Sequence, residues 1–141
     1  MPITLQQNQA MLQFFAAYND CDVPTMLDSF SPQGTVMYAP LGESGYGPAR
    51  EVGKVIWGML VDCFANLRNE LHASQLNEAG EIVCRLSIAG DQVKDFAEIK
   101  NKGFSFEEEH IFVFRLNPTH QIEHLKITWN HDSLRRQLGA A

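Results

Sequence analysis

The sequence lacks long apolar runs, paired cysteines and basic clusters, and each absence excludes a class of protein. No stretch approaches the roughly 18 to 20 apolar residues of a membrane-spanning helix, so we expect no membrane partner. The three cysteines are widely spaced and odd in number, which is typical of reduced thiols in a cytoplasmic protein. The net charge of −6, with no Lys/Arg cluster beyond Arg135-Arg136, argues against a nucleic-acid partner. The N-terminus lacks a basic stretch followed by an apolar one, so we expect no secretory signal.

Motifs for metal binding and for nucleophilic catalysis are also missing. Ser44 and Ser105 have no nucleophile-elbow context, and Cys63 lies on the apolar stripe of a predicted helix, where a thiolate would not be activated. The five histidines show no HExxH spacing. We therefore expect no metal site, and serine or cysteine catalysis is disfavoured.

The periodicity of apolar residues predicts helices first and strands afterwards. A chain of 141 residues with 45% hydrophobic content is the size of one domain, 1–141, with a substantial core. The predicted helices are 4–19, 24–30 and a long one from Pro48 to Leu67, and the predicted strands are 35–39, 68–76, 81–90, 104–116 and 121–130. Residues 31–34 should end the second helix, 40–48 form a loop, and 77–80 and 117–120 form hairpin turns. This order predicts an α+β fold, in which a curved antiparallel sheet of about five strands surrounds the long helix in a cone-like body with a pocket at its open end.

The strand at 104–116 places two polar groups on an apolar face. Phenylalanines alternate with Glu108 and His110 along this strand, and four phenylalanines on one face must be buried. Buried polar groups need partners or water, so Glu108 and His110 indicate a pocket. His110 is the best candidate for a general acid or base, or for a hydrogen-bond donor to a substrate oxygen. The alternatives are that His110 is a satisfied core histidine and that Glu108 lies at a sheet edge or bulge.

The end of the last strand raises a question about His131 and Asp132. Alternation turns Trp129 and His131 inward, and Asn130 would need a bulge to face the pocket. Because neighbours in a strand point to opposite faces, strand geometry alone does not make His131 and Asp132 a catalytic pair. Asp132 also has the chemistry of an N-cap, for a final helix that begins at Asp132 or Ser133 and that Gly139 ends.

Several ordered segments resemble SnoaL-like polyketide cyclases of the nuclear-transport-factor-like superfamily. FANLRNELH (64–72) resembles their F-P-D-L-R-x-E-x stretch, and HIFVFR (110–115) resembles H/D-I-F-R-F. VCR (83–85) with Gly90, IEH (122–124) and RQLG (136–139) match further family segments in order. The resemblance implies the cone-like α+β fold, a homodimer through sheet faces, and cofactor-free aldol ring closure with an acidic residue in an apolar pocket.

The family's acidic position coincides with Trp129 in this sequence. His131 or Asp132 would have to substitute for the missing acid, and His110 is the polar position that carries over best. The leading hypothesis is a cytoplasmic, homodimeric protein that binds or converts a hydrophobic carbonyl compound. His110 would act as acid, base or oxyanion donor, assisted by Asp132 or His131, while Trp129, Tyr38 and Phe112 form the pocket walls and Glu108 and Asn130 contact the substrate.

Two alternative functions remain open at this point. Epoxide hydrolysis or ketosteroid-type isomerisation on the same scaffold requires inward carboxylates, for which Glu108 and Asp28 are the candidates. A non-catalytic ligand-binding or dimerisation module is the other, and a Trp129 side chain that fills the cavity would favour it.

Overall fold

The computed structural model describes residues 3–140, which form four α-helices and six strands. The helices are α1 (Leu5–Asn19), α2 (Val23–Asp28), α3 (Lys54–Cys63) and α4 (His131–Gln137). The strands are β1 (Phe30–Tyr38), β2 (Tyr46–Pro48), β3 (Phe64–Leu76), β4 (Ile82–Gln92), β5 (Ser105–Leu116) and β6 (Ile122–Trp129). A 3-10 segment, Ala39–Gly45, joins β1 to β2, and a π-helical turn, Ala49–Gly53, leads into α3. Within residues 3–140, no helix combines the length and apolarity needed to cross a bilayer.

The strands form one curved, open sheet in the order β2-β1-β6-β5-β4-β3. The α+β prediction is confirmed. The prediction of a wholly antiparallel sheet is wrong, because β1 runs parallel to β6. Hairpin turns fix the antiparallel pairing of β3 with β4 and of β5 with β6, whereas no short turn constrains how β1 joins β6.

Helix α1 begins and packs as its sequence predicts. The Thr4 hydroxyl accepts from the Gln7 amide at 3.1 Å, and the Gln7 side chain accepts from the Thr4 amide at 2.9 Å, forming a capping box. The apolar stripe of the helix is buried against the sheet. Phe14 makes edge-on ring contacts with Phe30, Trp57 and Phe114, which places the core between α1, α3 and the inner sheet face.

Helix α3 is shorter than predicted and presents a different face to the core. It spans Lys54–Cys63, and Phe64 already belongs to β3. Val55 and Met59 follow the apolar helical spacing that is typical of core residues, yet they are 60% and 36% exposed, whereas Trp57 is 1% exposed. The large indole ring gains more from burial than either side chain, so it sets the orientation of the helix. Gly53 permits this packing, since a Cβ there would lie 2.6 Å from the Trp57 ring.

Two further boundaries differ from the sequence predictions. Residues 31–34 do not end a helix, because α2 stops at Asp28 and β1 already begins at Phe30. The pairing of β1 with β6 shifts register between Phe30 and Thr35. Because of this irregularity, the first residues of β1 do not show the regular alternation by which a strand is predicted. The predicted loop at 40–48 contains the 3-10 segment and the short strand β2.

Candidate active site

An apolar cavity of about 40 Å³ lies between α1, α3 and the inner face of the sheet. The polar side chains that line it are few: Tyr18, Tyr38, His110 and Trp129. The remaining lining residues are Leu41, Ile56, Leu60, Phe64, Ile88, Phe96, Phe106, Phe112, Ile127 and Leu134. Of the site residues named from the sequence, the structure brings Tyr38, His110, Phe112 and Trp129 together around this space.

The alternation of β5 directs His110 to the cavity, and its backbone fixes the tautomer of the ring. His110 is 8% exposed, and its Nδ1 lies 2.9 Å from the carbonyl oxygen of Glu108. A carbonyl oxygen only accepts, so Nδ1 carries the proton and Nε2 keeps its lone pair. Among residues 3–140, nothing forms a hydrogen bond with His110 Nε2. Burial lowers the pKa of His110 from 6.5 to about 4, so the ring is neutral at pH 7.

Trp129 forms the wall beside His110. The two residues are direct neighbours in the pairing of β5 with β6, and their rings stack with centroids 5.3 Å apart and planes 20° from parallel. The indole Nε1 of Trp129 donates to Nδ1 of His131 at 3.3 Å. His131 is therefore linked to the cavity through Trp129, although it lies in the first turn of α4 and does not line the cavity itself.

Glu108 connects β5 to α4 instead of facing the cavity. Its Oε2 accepts from Ser133 Oγ at 2.9 Å and from Gln137 Nε2 at 2.7 Å. These two bonds satisfy a half-buried carboxylate and hold α4 against the sheet. The structure gives Glu108 this anchoring contact rather than one with a ligand in the cavity.

The capping residue of α4 is Asn130, and the N-cap prediction for Asp132 is wrong. Asn130 Oδ1 accepts from the Ser133 amide at 3.0 Å, and the helix begins at His131. Asn130 is the N-cap, rather than Asp132, because its backbone is still extended at the end of the strand, as an N-cap requires. Asp132 is exposed in the first turn, where its charge favours the positive end of the helix dipole. Neither Asn130 nor Asp132 lines the cavity.

Asp28, the other carboxylate named from the sequence, does not line the cavity. It ends α2 and forms an exposed ion pair with Arg50 at 3.6 Å. It is absent from the cavity lining, as is Glu108. The described residues that line the cavity therefore include no carboxylate.

Sequence reasoning missed two polar side chains at the site, Tyr18 and Trp57. Tyr18 belongs to the apolar stripe of α1, and its spacing alone identified it only as core. Trp57 falls between the stripe positions of α3, so periodicity gave no signal for it. Its proximity to the lining residue Tyr38, with ring centroids 6.1 Å apart, places it just behind the cavity wall.

The two lining tyrosines are neutral hydrogen-bond donors. Burial, with a smaller contribution from nearby Tyr18, raises the pKa of Tyr38 well above its ordinary value. Burial likewise raises the pKa of Tyr18. Within residues 3–140, the Tyr38 hydroxyl and the Trp57 indole nitrogen are both buried without a hydrogen-bond partner.

A larger pocket of about 360 Å³ adjoins the cavity. The two spaces share the side chains of Leu41, Ile56 and Phe96, which therefore form the partition between them. The outer pocket is also lined by Ser44, Val55, Met59, Ala97, Glu98, Ile99 and His131. The exposed apolar face of α3 thus lies in a wall of this outer pocket.

No metal-binding group is evident in the part of the chain that the structure describes. Between residues 3 and 140, no three His, Cys, Asp or Glu side chains converge as metal ligands would. The side chains at the cavity can instead accept a proton at His110 Nε2 and donate hydrogen bonds from phenolic hydroxyls, in surroundings that hold little water.

Comparison with solved structures shows that the chain has the SnoaL-like fold. A protein from Jannaschia sp. CCS1, provisionally named a SnoaL-like polyketide cyclase, matches with a TM-score of 0.83 at 14% identity, covering 100% of this chain and 96% of that one. TsrD from Streptomyces laurentii matches with a TM-score of 0.81 at 20% identity, covering 96% of each chain. The epoxide hydrolase/cyclase-like enzyme SalBIII, described in pyran ring formation in polyether salinomycin, matches with a TM-score of 0.73 at 17% identity, covering 91% and 93%.

The resemblance to SnoaL-like polyketide cyclases is confirmed at the level of the fold. No family model and no curated protein matches the sequence. At identities of 20% or less, what these structures share with the chain is its architecture. Its chemistry has to be argued from its own side chains.

Proposed function

We propose that this protein is a cofactor-independent enzyme that moves a proton within a hydrophobic carbonyl compound, by aldol ring closure or isomerisation. The observation that carries the proposal is the state of His110. Its Nδ1 is held as a donor by the Glu108 carbonyl, its Nε2 is free to accept, and the ring lines an apolar cavity. A positioned base of this kind contributes about 10²–10⁴-fold to a rate.

The lowered pKa of His110 restricts which substrates it can deprotonate. Burial disfavours the imidazolium, so His110 alone is a weak base. Removing a proton next to a carbonyl group creates a negative oxygen in the same apolar space, which stabilises the imidazolium by direct attraction. We therefore expect substrates with an activated C–H bond, such as 1,3-dicarbonyl or β,γ-unsaturated carbonyl compounds.

The size of the inner cavity supports a substrate of two parts. About 40 Å³ admits only the reacting end of a polyketide-sized molecule, whereas the adjoining pocket of about 360 Å³ can hold an apolar body. For both to be filled at once, the partition formed by Leu41, Ile56 and Phe96 must move. Side-chain rotation on this scale is ordinary for a binding site.

Proton exchange on simple ketones tests the proposed reaction, and the natural substrate need not be identified for it. Hydrophobic 1,3-diketones and β,γ-unsaturated ketones are incubated in D₂O, with mass spectrometry for deuterium uptake and absorbance for conjugation. We expect acceleration by the wild type and a loss of about 10²-fold or more in His110→Gln. His72→Gln is the matched control, because His72 lies exposed on the sheet and contacts Ser87. Equal acceleration by wild type and His110→Gln would contradict the proposal.

A non-catalytic binding module is the second candidate, and the position of Trp129 favours it. The indole ring lies in the cavity wall and covers one face of His110, which reduces the room for a substrate. Saturable binding of these ketones by calorimetry, without deuterium uptake in any of them, would support this candidate. An epoxide hydrolase that acts through inward carboxylates has less support, since neither Glu108 nor Asp28 lines the cavity.

We also propose a homodimer formed through the outer face of the sheet. Val83, Ile111 and Val113 lie together there on paired strands, and Arg85 and Glu109 flank them as an exposed ion pair at 3.8 Å. Both charge signs beside an apolar centre suit a self-complementary contact. Light scattering should give a dimer for the wild type and a monomer for Val113→Asp, and a monomeric wild type at tens of micromolar would contradict this.

We propose a cytoplasmic location because the cysteines are free thiols. Cys21, Cys63 and Cys84 are all free, as expected in a reducing compartment. Alkylation of protein denatured directly from cells should then label three thiols.

A further inference from the structure

Two buried polar atoms next to the cavity lack hydrogen-bond partners within the described residues. They are the hydroxyl oxygen of Tyr38 and the indole nitrogen of Trp57. Both side chains are at most 3% exposed, so solvent does not satisfy them. Roughly 90% or more of buried polar groups in folded proteins are paired, so these two atoms require an explanation. Burial raises the pKa of Tyr38, and a side-chain hydrogen bond from Trp57 opposes that rise, so the phenolic hydrogen of Tyr38 is the donor left without an acceptor.

The two groups are arranged as a relay. The rings of Tyr38 and Trp57 contact each other with centroids 6.1 Å apart. An indole N–H only donates, whereas a phenol both donates and accepts. When Trp57 donates to the Tyr38 oxygen, the phenolic hydrogen remains available for an acceptor outside the pair.

Tyr38 and His110 lie on the two sides of Trp129. The Tyr38 ring contacts Trp129 at 5.8 Å, Trp129 stacks on His110 at 5.3 Å, and all three residues line the same cavity. The base and the unpaired phenol can therefore contact one small molecule at different atoms. Tyr18, which lines the same space, is a second neutral phenol close to Tyr38.

We propose that Tyr38, supported by Trp57, donates the hydrogen bond that binds the carbonyl oxygen of the substrate and stabilises it as an enolate. This inference rests on the proposed function, because His110 supplies the base. The C–H bond breaks, its proton passes to His110 Nε2, and its electron pair moves to the carbonyl oxygen that Tyr38 holds. The enolate carbon then takes the proton back at another position or attacks a second carbonyl group, whose oxygen receives the proton from Nε2.

The same donor set selects ligands by charge. Lys and Arg side chains are absent from the described lining of the cavity, so a carboxylate or phosphate would lose its hydration without an opposite charge. A neutral carbonyl compound or phenol loses less hydration free energy on entering the cavity, and its oxygen gains a hydrogen bond from the Tyr38 hydroxyl. The ligand class is therefore a neutral, oxygen-bearing apolar compound, whose oxygen acquires charge only after binding.

Binding of 4-nitrophenol tests the oxygen site independently of turnover. Its hydroxyl oxygen mimics an enolate oxygen, and its absorbance reports ionisation. We expect wild-type protein to bind it at a pH where it is neutral, and Tyr38→Phe to weaken this binding at least tenfold. Tyr46→Phe is the control, since Tyr46 is 54% exposed on β2. Equal binding by wild type and Tyr38→Phe would overturn the inference.

Kinetics separates this inference from the proposed function. With a ketone that the wild type accelerates, Tyr38→Phe should lower kcat about 10²-fold or more with little change in KM, as loss of an oxyanion donor does. Activity lost in His110→Gln but kept in Tyr38→Phe overturns the Tyr38 role and leaves the proposed function standing. Binding of 4-nitrophenol that depends on Tyr38, without activity on any ketone, supports the oxygen site and overturns the proposed function.

A labelling experiment covers the case in which Tyr38→Phe does not fold. Wild-type protein with 3-fluorotyrosine carries three fluorine signals, from Tyr18, Tyr38 and Tyr46. The variants Tyr18→Phe and Tyr46→Phe assign the Tyr38 signal by elimination. We expect 4-nitrophenol to shift the Tyr38 signal, and an unchanged signal at saturating 4-nitrophenol would overturn the inference.

Discussion

His110 and Trp129 face each other across the pairing of β5 with β6, with ring centroids 5.3 Å apart and planes 20° from parallel. The stacked indole removes water from one face of the imidazole, and the Glu108 carbonyl holds its Nδ1 proton on the edge. The ring is thereby kept neutral and fixed in one tautomer. A base in this state accepts a proton at Nε2 only.

The burial of His110 makes stability depend on pH. Its folded-state pKa of about 4 lies below the ordinary value of 6.5, so the unfolded chain takes up the proton first as the pH falls. The contribution of neutral, buried His110 to the free energy of unfolding is complete above pH 6.5 and is lost as the pH falls towards 4. One pKa unit is worth about 1.4 kcal/mol, which gives a loss of about 3 kcal/mol over this range.

Urea unfolding between pH 7 and pH 4.5 measures this loss. We expect His110→Gln to depend less on pH than the wild type, and His72→Gln to follow the wild type. Parallel curves for His110→Gln and wild type would show that His110 is not buried neutral.

The anchoring of α4 by Glu108 is expected to appear in stability. Glu108→Ala removes two charge-assisted hydrogen bonds, to Ser133 and Gln137, and should cost about 2 to 4 kcal/mol. Glu109→Ala is the matched control on the same strand, where an exposed ion pair contributes at most about 1 kcal/mol. Thermal unfolding measures the loss of stability in both variants, and equal losses would contradict the role of Glu108 in anchoring α4.

Asn130 and Asp132 differ in what they contribute to α4. Asn130→Ala removes the N-cap and should cost about 1 kcal/mol. Asp132→Ala removes only an exposed charge in the first turn, worth about 0.3 to 1 kcal/mol at low salt. Raising the salt concentration should reduce the Asp132 effect and leave the Asn130 effect. The opposite ranking at high salt would restore Asp132 as the cap.

Two glycines near the start and middle of α3 should respond oppositely to alanine. A Cβ at Gly53 would lie 2.6 Å from the Trp57 ring, so Gly53→Ala should cost about 1 to 3 kcal/mol. At Gly58 nothing lies within 4 Å of the new Cβ, so Gly58→Ala should stabilise the helix by about 0.5 to 1 kcal/mol. Chemical denaturation measures both, and a tolerated Gly53→Ala would contradict the close packing of Trp57.

The sequence predicts the inner faces of β5 and β6 well from Phe106 onwards, because a period of two is unambiguous when one face is buried. His110, Phe112, Ile127 and Trp129 therefore appear in the cavity lining where alternation places them. The prediction that Phe104 is buried is wrong, since Phe104 precedes β5 and is 49% exposed. The buried face of α3 was harder to predict, since apolar side chains also line the outer pocket. Val55 and Met59 follow helical spacing but line that pocket, while Trp57 enters the core.

The roles of the polar side chains depended on contacts that spacing does not encode. Glu108 has the correct face for a pocket residue, yet Ser133 and Gln137 of α4 occupy its carboxylate. Asn130 acts as the cap because the strand ends one residue earlier than the predicted range of 121–130. Such outcomes require the relative placement of two elements, which periodicity within either one leaves undetermined.

The parallel pairing of β1 with β6 has a consequence for how the chain is made. Tyr38 is the register partner of Ile127, and the Thr35 hydroxyl contacts His124 at 2.7 Å. The strand β1, which carries Tyr38, therefore gains its partner β6 only after nearly the whole chain has been synthesised. During translation β1 can pair with β2 on one side, but its pairing with β6 has to wait for the last part of the chain, and such long-range contacts slow folding.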